Sequence, residues 1–428
     1  MKKQISIVLF LYLTTNLSAT TLEELVDSGL KSNSAIKNIN LQIELMEAKH
    51  SESRAKRFGE VDVVGSYTHY NLPRTLAPIV PSALTPNSSV ETTQDLFTTG
   101  LQYSVALFMG GALKEQVEID KLAKTMTEMR VKLSREELIY NIRSLYLSGL
   151  SLQELISAQN QYVDALKKLR AVIATSVDIG KKAKIDLIKS DSSIKEAEGK
   201  IAQIKSSLKM IKSTLKAITH ISDIDYLEPI EVDMTQRADT VVDEDFDSLD
   251  RFRLQDLEIN RGDRVISKAK ALKRPQVALN SYAGYNYDID DNSLDKEYLW
   301  QVGLNLKWDI FDFQKSNAKI QQAKIAKLQA IVKKEATTEG FKKLLAKAFN
   351  KMETALADYQ TNLSKLNLLQ ESQRIEEARY NAGVATLNDL LLAKSKTQLT
   401  KSKLIESQYE YKNGVYYLDY LLERGENR

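Results

Sequence analysis

The chain has 428 residues, no cysteine, three histidines and a nearly balanced charge, with 60 Lys plus Arg against 57 Asp plus Glu. These numbers exclude disulfides, zinc–thiolate centres, thiol nucleophiles and lipid attachment through an N-terminal cysteine, and they leave no electrostatic footprint for nucleic acid. Beyond the first 20 residues no apolar run reaches the ~18 that mark a transmembrane helix, so an exported chain of this kind is soluble or crosses a membrane as strands.

Lys2 and Lys3, the apolar run from Ile5 to Leu13 and the small-residue site Leu17-Ser18-Ala19 read as a secretory signal peptide over residues 1–19, with Thr20 starting the mature chain. The alternative is a short anchor helix, but that run falls far below the ~20 residues a span needs. After it the chain carries one pattern twice, in repeat 1 over 20–222 and repeat 2 over 251–428, joined by an acidic connector over 223–250. Phe108 answers Phe311, Leu122-Ala123-Lys124 answers Ile325-Ala326-Lys327, Gly180 answers Gly383 and Asp186 answers Asp389, all at an offset of 203 residues. Upstream, Ser66-Tyr67 answers Ser281-Tyr282 at 215, which confines the length change to a loop between Tyr67 and Phe108. Each copy is expected to be one structural unit.

The first copy is expected to open with two strands, about 61–71 and 97–109, separated by a Pro-rich loop. The second copy repeats them at about 277–289 and 298–311. In the last of these Trp300, Val302, Leu304, Leu306, Trp308 and Ile310 alternate with Gln301, Gly303, Asn305, Lys307 and Asp309, giving one apolar and one polar face. Two readings fit such strands: a sheet whose apolar face is covered by helices, or part of an outer-membrane barrel whose apolar face meets lipid. Four strands cannot close a barrel, and lipid tolerates no open edge, so the second reading requires the chain to oligomerise.

All six prolines (73, 78, 81, 86, 229 and 275) lie outside 87–228 and 276–428. Inside those stretches residues 112–176 and 315–380 are rich in strong helix formers. Each is expected to be one helix of about 100 Å. Phe341, Leu344, Ala348, Met352, Ala355, Tyr359, Leu363, Leu366 and Leu369 form a single apolar stripe on the second. Gly180 and Gly383 stand just past the ends of these helices, and shorter helices follow at 184–220 and 386–423, so each copy contains a long antiparallel hairpin turning at its glycine. His50, His69 and His220 lie far apart without metal-ligand spacing, and no nucleophile-elbow or P-loop pattern occurs. A channel rather than an enzyme is expected, with no cofactor and no metal.

The signal peptide, the two tandem copies of helix, β-hairpin and long helical hairpin, the strand end Trp308-Asp-Ile-Phe-Asp-Phe313 and the tip Ala378-Arg-Tyr-Asn-Ala-Gly-Val-Ala-Thr-Leu-Asn-Asp-Leu390 together resemble the TolC-like outer-membrane efflux proteins. The resemblance implies a mainly α fold with a transmembrane β-barrel: a homotrimer forming a 12-stranded barrel in outer-membrane lipid above a helical periplasmic tunnel. It implies a passive exit duct for small molecules, fed by an inner-membrane transporter through a periplasmic adaptor, or alternatively a duct for type I protein secretion. A soluble periplasmic helical scaffold is the alternative from another class.

The resemblance also implies a pore gate at the tips, with Asp389 at the acidic position, Asp186 as its first-copy counterpart and Tyr380 as the tip tyrosine. The second acid of that family's gate is replaced here by Leu392, a tip arginine by Ala385, and Lys189 stands opposite Leu392 in the first copy. The tips around Gly180 and Gly383 would dock the adaptor, and Trp300, Val302, Leu304, Leu306 and Trp308 would face lipid. Thr386-Leu-Asn-Asp389 independently fits a helix capping box.

Overall fold

The computed structural model describes residues 19–81, 90–234, 246–289 and 295–427. The expected signal peptide, apart from Ala19, lies outside the described residues, as do the middle of the acidic connector and part of both strand loops. The chain divides into two compact units, Met1–Asn38 with Val131–Leu249 and Glu339–Arg428, and Ile39–Arg130 with Asp250–Thr338.

The second unit contains the sheet. Helix α2 (Ser34–Ala55) leads into strand β1 (Glu60–Thr75), which pairs antiparallel with β2 (Thr92–Met109); helix α5 (Asp250–Ala271) leads into β3 (Gln276–Asp288), which pairs with β4 (Lys296–Lys307). The seam between the copies is β2 against β3, so the order is β1-β2-β3-β4 with β1 and β4 at the edges.

The sheet corrects the sequence reading in two places. The 298–311 strand ends at Lys307, whose partner is Gln276, the first residue of β3. Pro275 precedes Gln276 and has no N–H to extend the ladder, so Trp308, expected on the lipid-facing strand, falls just beyond it. Its indole N–H donates instead to the Lys273 carbonyl at 3.1 Å.

The second correction concerns the repeat. Ser104 pairs with Glu60, and its counterpart Lys307 pairs with Gln276, so Glu60 answers Gln276 and the upstream offset is 216. The Ser-Tyr match at 215 is a one-residue slip, which in a strand exchanges faces. Tyr67 shares its rung with Phe97 and Tyr287, whereas Tyr282 points to the other side of the sheet, level with Gln102 and Gln301.

The first unit is helical. Helix α1 (Leu22–Ser32) starts where the Thr21 hydroxyl accepts from the Glu24 N–H at 3.1 Å. Helices α3 (Ala112–Asp178) and α6 (Lys315–Asn381) each run 67 residues without interruption, and their C-terminal portions belong to this unit. They are followed by α4 (Lys184–Thr219) and α7 (Leu387–Leu421).

The main core packs Leu25 and Ile36 against Ile142, Tyr146, Leu147 and Leu150 of α3, with Leu215 of α4 and Ile405 and Tyr409 of α7. The connector joins it: Thr20 forms a parallel bridge with Leu227, and Gln153 exchanges two hydrogen bonds of 3.0 Å with the Leu227 backbone. Of the expected α6 stripe, Phe341, Ala348, Met352, Ala355 and Leu366 are buried, while Leu344 and Leu363 stay exposed in the single chain.

Candidate functional site

Two regions carry the sequence-predicted residues, the sheet face in one unit and the hairpin tips in the other. Pairing fixes which side chains share a face. Val63, Leu101, Ala283 and Trp300 form one rung; Tyr103, Ser281 and Val302 join Val61 in the next, and Leu279 with Leu304 and Val277 with Leu306 continue it. Toward the loop end the same face carries Tyr67, Phe97 and Tyr287, with Tyr285 and Tyr298 in ring contact at 5.3 Å.

The opposite face presents Asp62, Gln102, Tyr282 and Gln301, then Ser66, Thr98, Asn286 and Glu297. On β4, Trp300, Val302, Leu304 and Leu306 are 62–70 % exposed, so no helix among the described residues covers them. That removes the covered-sheet reading for this strand. An apolar face with an aromatic rim, backed by a polar face, is the arrangement of a lipid-facing barrel wall.

At the tips, Gly180 (φ 74°) and Gly383 (φ 78°) hold left-handed backbone that favours glycine. The Gly180 N–H donates to the Val177 carbonyl and the Gly383 N–H to the Tyr380 carbonyl, and a Cβ at either position would meet no neighbour. Thr386 and Asp389 form the capping box: the Asp389 N–H donates to Thr386 Oγ1 at 3.2 Å, and Asp389 Oδ2 accepts from the Thr386 N–H at 2.9 Å and its hydroxyl at 2.7 Å.

The Thr386 hydroxyl and backbone, with the Arg379 charge nearby, hold the Asp389 carboxyl below its ordinary value. The stability it lends is therefore present at neutral pH and is lost as pH falls through that lowered value. Asp389 is exposed, so the cap leaves it open to solvent. The first tip lacks the device, since Ala183 at its N-cap makes no side-chain bond.

The two tips share one core, in which Leu169 and Ile173 pack against Tyr380, Leu387 and Leu390, with Val177 and Leu187 at its margin. Tyr380 is only 3 % exposed, and Lys182 Nζ from the other tip lies 4.0 Å from its ring centroid. Burial, with the charge of Asp186 adding to it, pushes the Tyr380 hydroxyl up. The structure thus sets Asp186 near Tyr380 and keeps Asp389 exposed within its capping box. Tyr380 is a core residue of the tip rather than a surface one.

Sequence reasoning missed the exposed apolar residues at the tips, Ile179, Ile185, Ile188 and Val384, which with Leu392 are all more than half exposed. The available signal was an isoleucine or valine directly beside each turn glycine. Among the described residues no group of acids and histidines could hold a metal, and no helix is long and apolar enough to cross a membrane.

Compared with known proteins, the sequence matches the profile of the family described as Outer membrane efflux protein over residues 25–219 and 253–422. No curated protein matches it significantly. Among solved structures, the Campylobacter jejuni CmeC outer membrane channel shares the fold at a TM-score of 0.76 and 17% identity, over 94% of this chain and 86% of that one. The outer membrane protein VceC of Vibrio cholerae gives 0.76 at 14% identity over 94% and 96%. The open Neisseria gonorrhoeae MtrE outer membrane channel gives 0.75 at 16% over 94% and 89%. The solved structures share its fold, and because the profile match takes in both copies of the repeat and most of the chain, the protein belongs to the outer membrane efflux protein family.

Proposed function

We propose that three copies of the chain close their four-stranded sheets into one 12-stranded barrel in outer-membrane lipid, above a tunnel that conducts small molecules passively. One observation carries this reading: the sheet has free edges at β1 and β4, and the apolar side chains of both edge strands, Val61 and Val63 on β1 and Trp300 to Leu306 on β4, stand exposed. Exposed edges and exposed apolar area are both relieved by circular closure in lipid; the number three comes from the family resemblance.

The tips around Gly180 and Gly383, with Ile179 and Val384 beside them, would receive a periplasmic adaptor that couples the duct to an inner-membrane transporter, so the chain itself needs no cofactor and performs no chemistry. Membrane fractionation followed by light scattering in detergent tests the assembly. An outer-membrane particle of three subunits is expected, and a monomer in the soluble periplasmic fraction would remove the channel.

Asp389 is proposed as the acidic gate residue, with Asp186 behind it. Tyr380 acts from within the tip core by fixing the position of Lys182. An exposed acid repeated in every subunit around a narrow passage favours cations and adds to its closure. Asp389→Asn is therefore expected to raise single-channel conductance in a planar bilayer and weaken cation preference, at a cost of about 1 kcal/mol or less to the cap. Conductance and selectivity equal to those of the parent would reduce Asp389 to a helix cap.

A further inference from the structure

We propose that the seam between subunits, β4 of one against β1 of the next, is held in register by an aromatic clasp in which Phe313 packs on Phe58 of the partner subunit. The inference rests on the trimeric reading and specifies how its subunits join.

The chain already contains one copy of this seam. Strand β2 pairs with β1 only as far as Ser104, yet continues to Met109 because β3 takes over, with Phe108 opposite Val277 and Met109 opposite Gln276. Just beyond, Gly110 is pressed against the end of α5. A Cβ there would lie 2.4 Å from the Ala271 carbonyl oxygen and 2.9 Å from Arg274 Cβ, and Arg274 Nη1 donates to the Gly110 carbonyl at 2.9 Å.

The repeat offsets carry this junction to the free edges. Gly110 answers Phe313 at 203, and at 216 Ala271 and Arg274 answer Ala55 and Phe58. Trp308 then falls opposite Val63 of the partner subunit, Phe311 opposite Val61 of the partner subunit, and Phe313 against Phe58 of the partner subunit. The transferred register also places Leu304 opposite Tyr67 of the partner subunit and Leu306 opposite Gly65 of the partner subunit, all on the apolar face. A one-residue error would have crossed the faces.

Two independent observations mark these residues as awaiting a partner. Phe313 is 86 %, Phe58 75 % and Phe311 73 % exposed. Phe313 and Gln314 also hold the left-handed backbone of their counterparts, with φ of 47° and 70° against 64° and 96° at Gly110 and Gly111. Bulky residues adopt that conformation only where the surroundings impose it. The inner seam needs glycine because the Ala271 carbonyl and the Arg274 side chain close on Gly110; at the outer seam Phe313 keeps the left-handed φ, so the partner subunit's Ala55 must stand farther off than Ala271 does, which opens the space that two phenylalanine rings fill. Residues 308–312 lie outside the ladder here and would join it once a partner strand is present.

The absence of native cysteine makes the test direct. Phe58→Cys combined with Phe313→Cys, oxidised in isolated membranes, is expected to give disulfide-linked dimers and trimers that collapse to monomers on reduction: a Cβ at the inner-seam position would lie 2.9 Å from Arg274 Cβ, and the outward shift that Phe313 requires brings the outer pair toward the about 3.5–4.5 Å that a disulfide spans. Each single variant, and Phe58→Cys with the out-of-register Ile310→Cys, should stay monomeric on the same gel. Phe313→Gly relieves the backbone strain and is nevertheless expected to lower the temperature at which the trimer dissociates in detergent.

A particle of trimeric mass in which the paired cysteines fail to link, or in which Phe313→Cys reacts freely with a lipid-soluble maleimide, would place Phe313 in lipid and overturn the clasp while leaving the trimer intact. A monomeric mass would overturn the trimer and the clasp with it.

Discussion

Replacing Leu304 with arginine is expected to cost membrane assembly about 2–4 kcal/mol per subunit, the penalty for a cation on the lipid face near the midplane of a barrel. At 1.4 kcal/mol per tenfold, that is roughly a 30- to 700-fold shift in the assembly equilibrium. Leu304 is 68 % exposed, pairs with Leu279 of β3 and lies between Val302 and Leu306 on the same face, so the introduced charge has no partner at that depth. The neighbouring Asn305 belongs to the polar face, and Asn305→Arg should assemble normally. The readout is the fraction of chain recovered from outer membranes as a heat-modifiable oligomer. Equal assembly of the two variants would remove the assignment of lipid and lumen faces to β4.

Truncating Tyr146 to alanine is expected to destabilise the helical unit by about 3–5 kcal/mol, as for other large buried aromatics. Tyr146 is 0 % exposed at the centre of the main core, and its hydroxyl bonds the Glu228 carbonyl at 2.6 Å and approaches the Thr20 carbonyl at 3.2 Å. It therefore ties the start of α1 and the connector to the middle of α3. Tyr146→Phe keeps the ring and leaves the partly buried Glu228 carbonyl short of a donor, for about 1–2 kcal/mol, while the Thr20 carbonyl still accepts from the Glu228 N–H.

Burial pushes the Tyr146 hydroxyl from its ordinary 10.0 up to about 12. The contribution of the neutral phenol is complete below about pH 10 and fades as pH rises through the folded value. Thermal unfolding in detergent separates the variants, and a phenylalanine variant as unstable as the alanine one would show that the hydroxyl, not the ring, holds this core.

The parts of this protein legible in its sequence follow from strong local rules. Six prolines bound the two regions where 67-residue helices form, glycine at 180 and 383 supplies the left-handed turn between each helical pair, and the Thr386–Asp389 capping box was readable from two residues at the right spacing. The strand end at Lys307 was not, because the alternation continues past β4 to Ile310 while the pairing that ends the strand depends on Pro275, just before a different strand. The one-residue slip in the repeat arose where an identical Ser-Tyr pair outweighed the pairing geometry.

At the candidate site, burial of Tyr380 beneath Lys182 depends on contact between hairpins roughly two hundred residues apart in sequence, and Lys182 is answered in the second copy by Ala385, so repetition gave no warning of it. The apolar ring of Ile179 and Val384 was visible as residues but not as surface, since exposure is decided by the packing of α4 and α7.

The order β1-β2-β3-β4 also has a kinetic consequence. Two of its three pairings are hairpins between neighbouring stretches of chain, whereas β2 and β3 are separated by two long helices and a connector. Loop closure makes such distant pairing slow relative to local pairing. The hairpins can therefore form early and independently, and β2 meets β3 only after the intervening helices have been made and folded back. Until then each hairpin carries two raw edges instead of one, and the newly exported chain passes through its most aggregation-prone interval before it encounters a second copy of itself.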